Sequence, residues 1–141
     1  MSILGAHMSI SGGFDRAAER AHAVGCDCLQ LFTRNTNQWR ARPIAPHEPG
    51  RFRAALVRYA IDTTAAHASY LINLASPDAR LWRRSVAGLL LELTRAEALG
   101  IPAVIIHPGA HVGAGPQAGI ARVAQALDEV HHRASSLRVG C

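Results

Sequence analysis

Short apolar runs that end in turn-prone polar stretches alternate along the chain with longer segments whose apolar residues recur every three or four positions. Ile3-Leu4-Gly5-Ala6-His7 reads as a first strand, and Ser11-Gly12-Gly13 as the turn after it. Phe14, Ala17, Ala18 and Ala21 follow at helical spacing up to Gly25, a natural C-terminal stop. Cys26 to Thr33 predicts a second strand, and a loop rich in Asn, Gln and Arg runs from Arg34 to Arg42. Pro43 and Pro46 precede a helix from about Glu48 to Tyr59, and Asp62 to His67 forms a short third strand. Trp82, Val86, Leu89, Leu90, Leu93 and Ala96 trace the buried stripe of a long helix that ends at Leu99-Gly100. Pro102 to His107 is a fourth strand, and a glycine-rich loop from Pro108 to Gly119 leads to a last helix marked by Ile120, Val123, Ala124, Leu127 and Val130. Leu137-Arg138-Val139 reads as the opening of an incomplete fifth strand.

Strand followed by helix, repeated, predicts an α/β fold with a parallel sheet and helical crossovers. A complete (β/α)₈ barrel takes about 250 residues, so if these strands belong to that fold the 141 residues form one domain, 1–141, that is roughly half of a TIM barrel. With 49% hydrophobic and 18% charged residues the chain has the balance of a folded globular domain. No apolar stretch approaches the roughly 18 residues of a membrane span, and no basic region precedes an apolar core at the N-terminus. The expectation is a cytoplasmic protein without a membrane partner. The net charge of +5 rests on arginine alone, because the sequence has no lysine. Arginine forks onto phosphate oxygens, so this surface permits nucleic-acid binding. Cys26-Asp27-Cys28 has strand spacing and reads as structural.

The chemistry concentrates where strands end. His7, the Phe32 to Asn35 turn, His67 and His107 all fall at the C-terminal ends of the four strands, the rim on which barrel enzymes build their sites. Neutral imidazoles are standard zinc ligands, and His67 and His107 are the candidates, although a lone histidine is more often a core or capping residue. Pro108-Gly109 keeps His107 and His111 from lying one helical turn apart, so His111 is expected to be an exposed loop residue. The ten carboxylates offer no completion: Asp27 and Asp62 begin strands, while the others, Glu92 among them, lie in or beside helices and are expected outside or on the far rim. A multi-metal site needs such acids to bridge its ions. Tyr70, with Asn35, Gln38 and Trp39, could stack on bases and reach groove edges while Arg34, Arg40 and Arg42 meet phosphates. The alternative is that the two aromatic residues fold back as a lid on the core.

These segments resemble the N-terminal half of endonuclease IV, the zinc-dependent apurinic/apyrimidinic endonuclease family with a xylose-isomerase-like barrel. The resemblance is carried by Gly5-Ala6-His7 with Ser11-Gly12-Gly13, by Leu31-Phe32-Thr33 through Asn35 and Gln38-Trp39-Arg40, by His67-Ala68-Ser69-Tyr70-Leu71-Ile72-Asn73-Leu74, and by His107-Pro108-Gly109-Ala110-His111. It implies a DNA repair nuclease that uses three zinc ions and zinc-activated hydroxide to hydrolyse the phosphodiester bond on the 5′ side of an abasic sugar. It assigns His67 and His107 to one zinc. It assigns Gly5, His7, Asn35, Gln38, Trp39, Arg40 and Tyr70 to double-stranded DNA containing the abasic site, Tyr70 entering the minor groove. At Asn37 some relatives place an arginine that reaches into the base stack, and asparagine would fill less of that gap.

The resemblance also implies that a bridging glutamate and later Asp, His and Glu ligands lie beyond Cys141. The chain is therefore expected to hold at most one partial zinc site and to be impaired alone. Half a barrel has open strand edges, which favour self-association or pairing with a complementing C-terminal half. Two other functions compete: a non-catalytic DNA-binding fragment, and a sugar isomerase or epimerase of the same superfamily. The latter would have no need of the Tyr70 loop or of Gln38-Trp39-Arg40.

Overall fold

A computed structural model describes the backbone of residues 2–138 and the side chains of 2–135. Its elements run β1 (Gly5–Met8), α1 (Phe14–Ala23), β2 (Cys28–Phe32), α2 (Glu48–Arg58), β3 (Thr63–His67), α3 (Ala79–Leu99), β4 (Val104–Ile105) and α4 (Pro116–Arg138). The strands pair in parallel in the order β1-β2-β3-β4. Successive helices pack on one another, α1 on α2, α2 on α3 and α3 on α4, so the crossovers share one side of the sheet. This is the arc of a barrel wall, with helices outside and a concave strand face inside. No helix among the described residues is long and apolar enough to cross a membrane.

Alternation along β2 separates the two faces. Leu29 and Leu31 point into the helical layer and are buried, whereas Cys28, Gln30 and Phe32 face the concave side and are half-buried. Leu29 and Leu31 join Phe14, Ala17, Ala18, Ala21, Phe52, Ala66 and Leu99 in one apolar cluster; Ile72, Leu74, Trp82, Val86, Leu89, Ala126 and Val130 form a second. The small alanines of α1 let that helix lie close to the sheet, as the helical spacing predicts.

Helix ends follow local chemistry. The Asp78 side chain accepts from Leu81 N at 2.6 Å and caps α3, and Gly100, left-handed at φ 75°, closes it with Ile101 N bonded back to Ala96 O. α4 starts at Pro116 rather than near Ile120, because proline's fixed φ and missing N–H suit a first helical position. β4 is two residues long instead of six; it pairs only with β3 among the described residues, and a strand with one neighbour has half the ladder to hold it. The expected opening of a fifth strand is not found at Leu137 and Arg138, which continue α4; Val139 lies outside the described residues.

Candidate functional site

Parallel register sets the rim. Phe32 pairs with His67 and His67 with Ile105, while His7 pairs with Gln30 one layer below. His67 is the last residue of β3 and only 8% exposed. Its Nδ1 lies 2.8 Å from the carbonyl of Ala68. A carbonyl oxygen only accepts, so this contact has Nδ1 carrying the hydrogen and leaves Nε2 as the ring nitrogen able to bind a ligand. His107, two residues past β4 and exposed, brings its ring centroid to 5.1 Å from that of His67.

Phe32 stands between His7 at 4.3 Å and His67 at 5.4 Å, and Tyr70 lies 5.3 Å from His67 and 5.8 Å from His107. Tyr70 is 63% exposed, a flat apolar face beside two imidazoles at the mouth of the sheet. His7 hydrogen-bonds Gln30 Oε1 at 2.8 Å, holding the two side chains together on the concave face. Gly5 does not join this group. It lies at the opposite end of β1, where a Cβ would stand 2.2 Å from the carbonyl oxygen of Cys28, so its bareness permits the approach of β1 to β2.

The loop after β2 divides its candidates. Asn35, Gln38 and Arg40 are exposed, with Asn35 Oδ1 accepting from Asn37 N at 2.8 Å in a local turn. Trp39 turns away from the rings and packs on α3, where a Cβ at Gly88 would meet the indole at 3.3 Å and the Arg84 guanidinium lies 4.4 Å from its ring centroid. Of the two aromatic residues, Trp39 covers the core and Tyr70 projects from it. A groove of about 540 Å³ separates the Ser9–Ser11 turn from the Arg34–Thr36 loop, with His7 and Phe32 in its wall. Arg20 holds that turn by donating to Ser9 O at 2.8 Å and Ser11 O at 2.9 Å.

Glu92 corrects the expectation that every carboxylate lies outside. It is 1% exposed and faces inward from α3, one helical step from Leu89 and Ala96 on the buried stripe. Three donors satisfy it: Arg34 Nε at 2.7 Å, Thr33 Oγ1 at 2.9 Å and Ser69 N at 3.1 Å. Arg95, also buried, donates to Thr33 O at 2.6 Å and to Arg42 O at 2.8 Å, and burial presses its guanidinium pKa below the usual value. The residues Ser85, Gly88, Glu92 and Arg95 share the inward stripe of α3, the one signal by which this network could be found in the sequence.

Asn73 supplies the other cross-link. Its Oδ1 accepts from Ala110 N at 3.0 Å and its Nδ2 donates to Ala110 O at 3.0 Å, so one amide clamps the loop after β3 to the loop carrying His107. His111 is half-buried rather than exposed, because Gly115 N needs an acceptor and takes His111 Nδ1 at 3.1 Å. Among the described residues no group of three or more His, Cys, Asp or Glu side chains converges as a metal site. Imidazoles are donors that zinc takes, but the two rings, 5.1 Å apart between centroids, would fill only part of its four-coordinate shell.

Residues 18–140 match the profile of the xylose isomerase-like TIM barrel family. A curated relative from Chloroflexus aurantiacus, "Probable endonuclease 4", is 47% identical over 127 residues, 90% of this chain and 45% of that protein. The solved endonuclease IV from Thermus thermophilus superposes with a TM-score of 0.79 at 34% identity, over 92% of this chain and 46% of that one. D-psicose 3-epimerase superposes at 0.65 over 92% of this chain and 46% of that one; its 18% identity speaks for the fold alone. The chain spans about half the length of the curated relatives it matches.

Proposed function

The chain belongs to the xylose isomerase-like TIM barrel family, and from that premise we propose that it serves, in the cytoplasm, as the N-terminal half of an endonuclease IV-type nuclease acting on abasic sites in double-stranded DNA. The observation that carries the reading is the approach of His67 and His107 beside an exposed Tyr70. His67 and His107 would hold one zinc ion, which when bound lowers the pKa of its water and neutralises phosphate charge. Tyr70 offers a ring to the gap that a missing base leaves in the stack. Asn35, Gln38 and Arg40, exposed on the neighbouring loop, would meet DNA backbone or groove atoms, and His7 would do so from the wall of the protein groove beside that loop. Trp39 serves by bracing that loop against α3, not by touching DNA, and Gly5 serves by admitting β1 to the sheet.

Hydrolysis by this reading needs carboxylate ligands that the described residues do not bring to the histidines. That favours, as a second reading, a chain that recognises the lesion without cutting it. Completion by a C-terminal half, or by self-association, has support in the open concave face, a trough of about 300 Å³ over β1 to β3, and in an apolar groove of about 430 Å³ along α4. An epimerase reading leaves the exposed Tyr70 without a role.

Fluorescence anisotropy with a labelled duplex carrying one tetrahydrofuran abasic analogue, against the same duplex intact, tests recognition. The expectation is a preference of about tenfold or more for the lesion, abolished in Tyr70→Ala. Equal affinities would remove the proposal. Zinc-dependent cleavage on the 5′ side, lost in His107→Ala, would decide for the nuclease over the binding reading.

A further inference from the structure

We propose that Glu92 is a positioning residue for the rim: from inside the helical wall it holds the loop after β2 and the loop after β3 in one relative arrangement, and the affinity for abasic DNA depends on that hold. This rests on the reading of those loops as DNA-facing. The carboxylate touches both loops. Its Oε1 receives Arg34 Nε and Ser69 N, and its Oε2 receives Thr33 Oγ1, so residues 58, 59 and 23 positions away in sequence meet on a single side chain.

From this anchor the hold passes outward. Arg34 Nη1 donates to the carbonyl of Gln38, which fixes the far side of the first loop. Ser69 Oγ donates to Thr36 O at 2.7 Å and joins the two loops directly. Ser69 precedes Tyr70, so the backbone that aims the exposed ring is bonded to Glu92 one residue earlier. Asn73 then extends the chain of ties to Ala110, beyond His107.

Stability alone is a poor reason for this arrangement. The Arg34 and Glu92 side chains are 2% and 1% exposed, and a buried ion pair is commonly no better than well-packed apolar residues of the same volume. Arg34 Nη2 is buried without a partner, a further cost. What apolar residues cannot supply is directional bonding to two loops at once, and direction is what a rim of contact residues requires.

Two variants separate positioning from folding. Glu92→Gln keeps the shape but leaves Arg34 charged and unpaired; the pair Glu92→Met with Arg34→Met removes both charges and keeps comparable volume. Circular dichroism and thermal unfolding report the fold, amide hydrogen exchange reports the loops, and anisotropy with the tetrahydrofuran duplex reports binding. In the double variant the helices are expected to persist while amides of residues 33–40 and 69–74 lose protection by about tenfold or more and those of 109–115 change less. Abasic-duplex affinity is expected to fall by about tenfold in the same variant. Unchanged protection in the two loops of a folded variant, or loosened loops with unchanged affinity, would overturn the proposal, and Glu92→Gln decides by the same two readouts should the double variant not fold. A wild-type chain without preference for the lesion would instead strike the proposed function, while exchange still decides whether Glu92 holds the loops.

Discussion

His67 and His107 bring the same side chain to the same space from supports of opposite kinds. β3 has five residues and a neighbour on each side, and the residues after it are bonded to a buried carboxylate. β4 has two residues and pairs on one side among the described residues, and the loop beyond it is held through the amide of Asn73. One imidazole is buried with Nδ1 committed to a carbonyl; the other is exposed. The rim is ordered by polar groups reaching across loops more than by strand length. The separation of the two rings is therefore set by the weaker support.

The largest loss is expected on the β3 side. Glu92→Gln leaves a buried guanidinium without its counter-ion and should cost roughly 3–5 kcal/mol in urea unfolding, erasing the advantage of the β3 side. A loss below about 1 kcal/mol would mean that the pair is solvated and holds little. Gly109→Ala strikes the weak side. Its φ of 102° is a conformation for glycine, and a Cβ there would stand 2.1 Å from Asn73 Oδ1, so the methyl group and the clamp cannot coexist. The expected cost is about 2–3 kcal/mol, with chemical-shift changes at His107 and the loop around Ala110 and almost none at His67. Equal changes at both histidines would show the supports to be one unit.

Acid is expected to have the smallest effect. Arg42 forks onto Glu48 with both bonds at 2.6 Å, and Ala45 N adds a third, holding the Glu48 carboxyl at a pKa of about 2 against an ordinary 4.5. A carboxyl depressed on folding stabilises fully above its unfolded value and loses that contribution as pH falls through its folded one. Stability should thus decline between about pH 4.5 and 2 by no more than about 1 kcal/mol, because Arg42 is solvent-screened. Arg42 also gives its carbonyl to Arg95, so the loosening should begin at the end of the first loop and spare the Asn73 clamp. Exchange measured across that range, with protection at residues 109–115 falling first, would reverse the assignment.

Much of this architecture is legible along the chain, since stripes such as Phe14, Ala17, Ala18 and Ala21 and stops such as Gly25 and Gly100 act within a turn or two of themselves. The rim histidines are legible for the same reason: each closes an apolar run. The supports are not. The stripe of α3 places Glu92 on the inward face, but its partner Arg34 lies 58 residues away and nothing local names it. Trp39 and Tyr70 look alike in composition, yet Gly88 opens room for one on α3 and the other is left largely exposed among the described residues. Ser69 and Asn73 belong to a segment recognisable by resemblance, but their work as loop ties appears only when the loops are side by side.

The proposed zinc site requires that these supports bring His67 and His107 together as a ligand pair. Long-range ¹H–¹⁵N spectra of the imidazoles during zinc titration test it most directly. The Nε2 resonance of His67 is expected to shift together with a ring nitrogen of His107 at the first equivalent, and either histidine changed to alanine is expected to remove both shifts. Zinc-induced shifts at one of the two without the other, or only at other histidines, would contradict it.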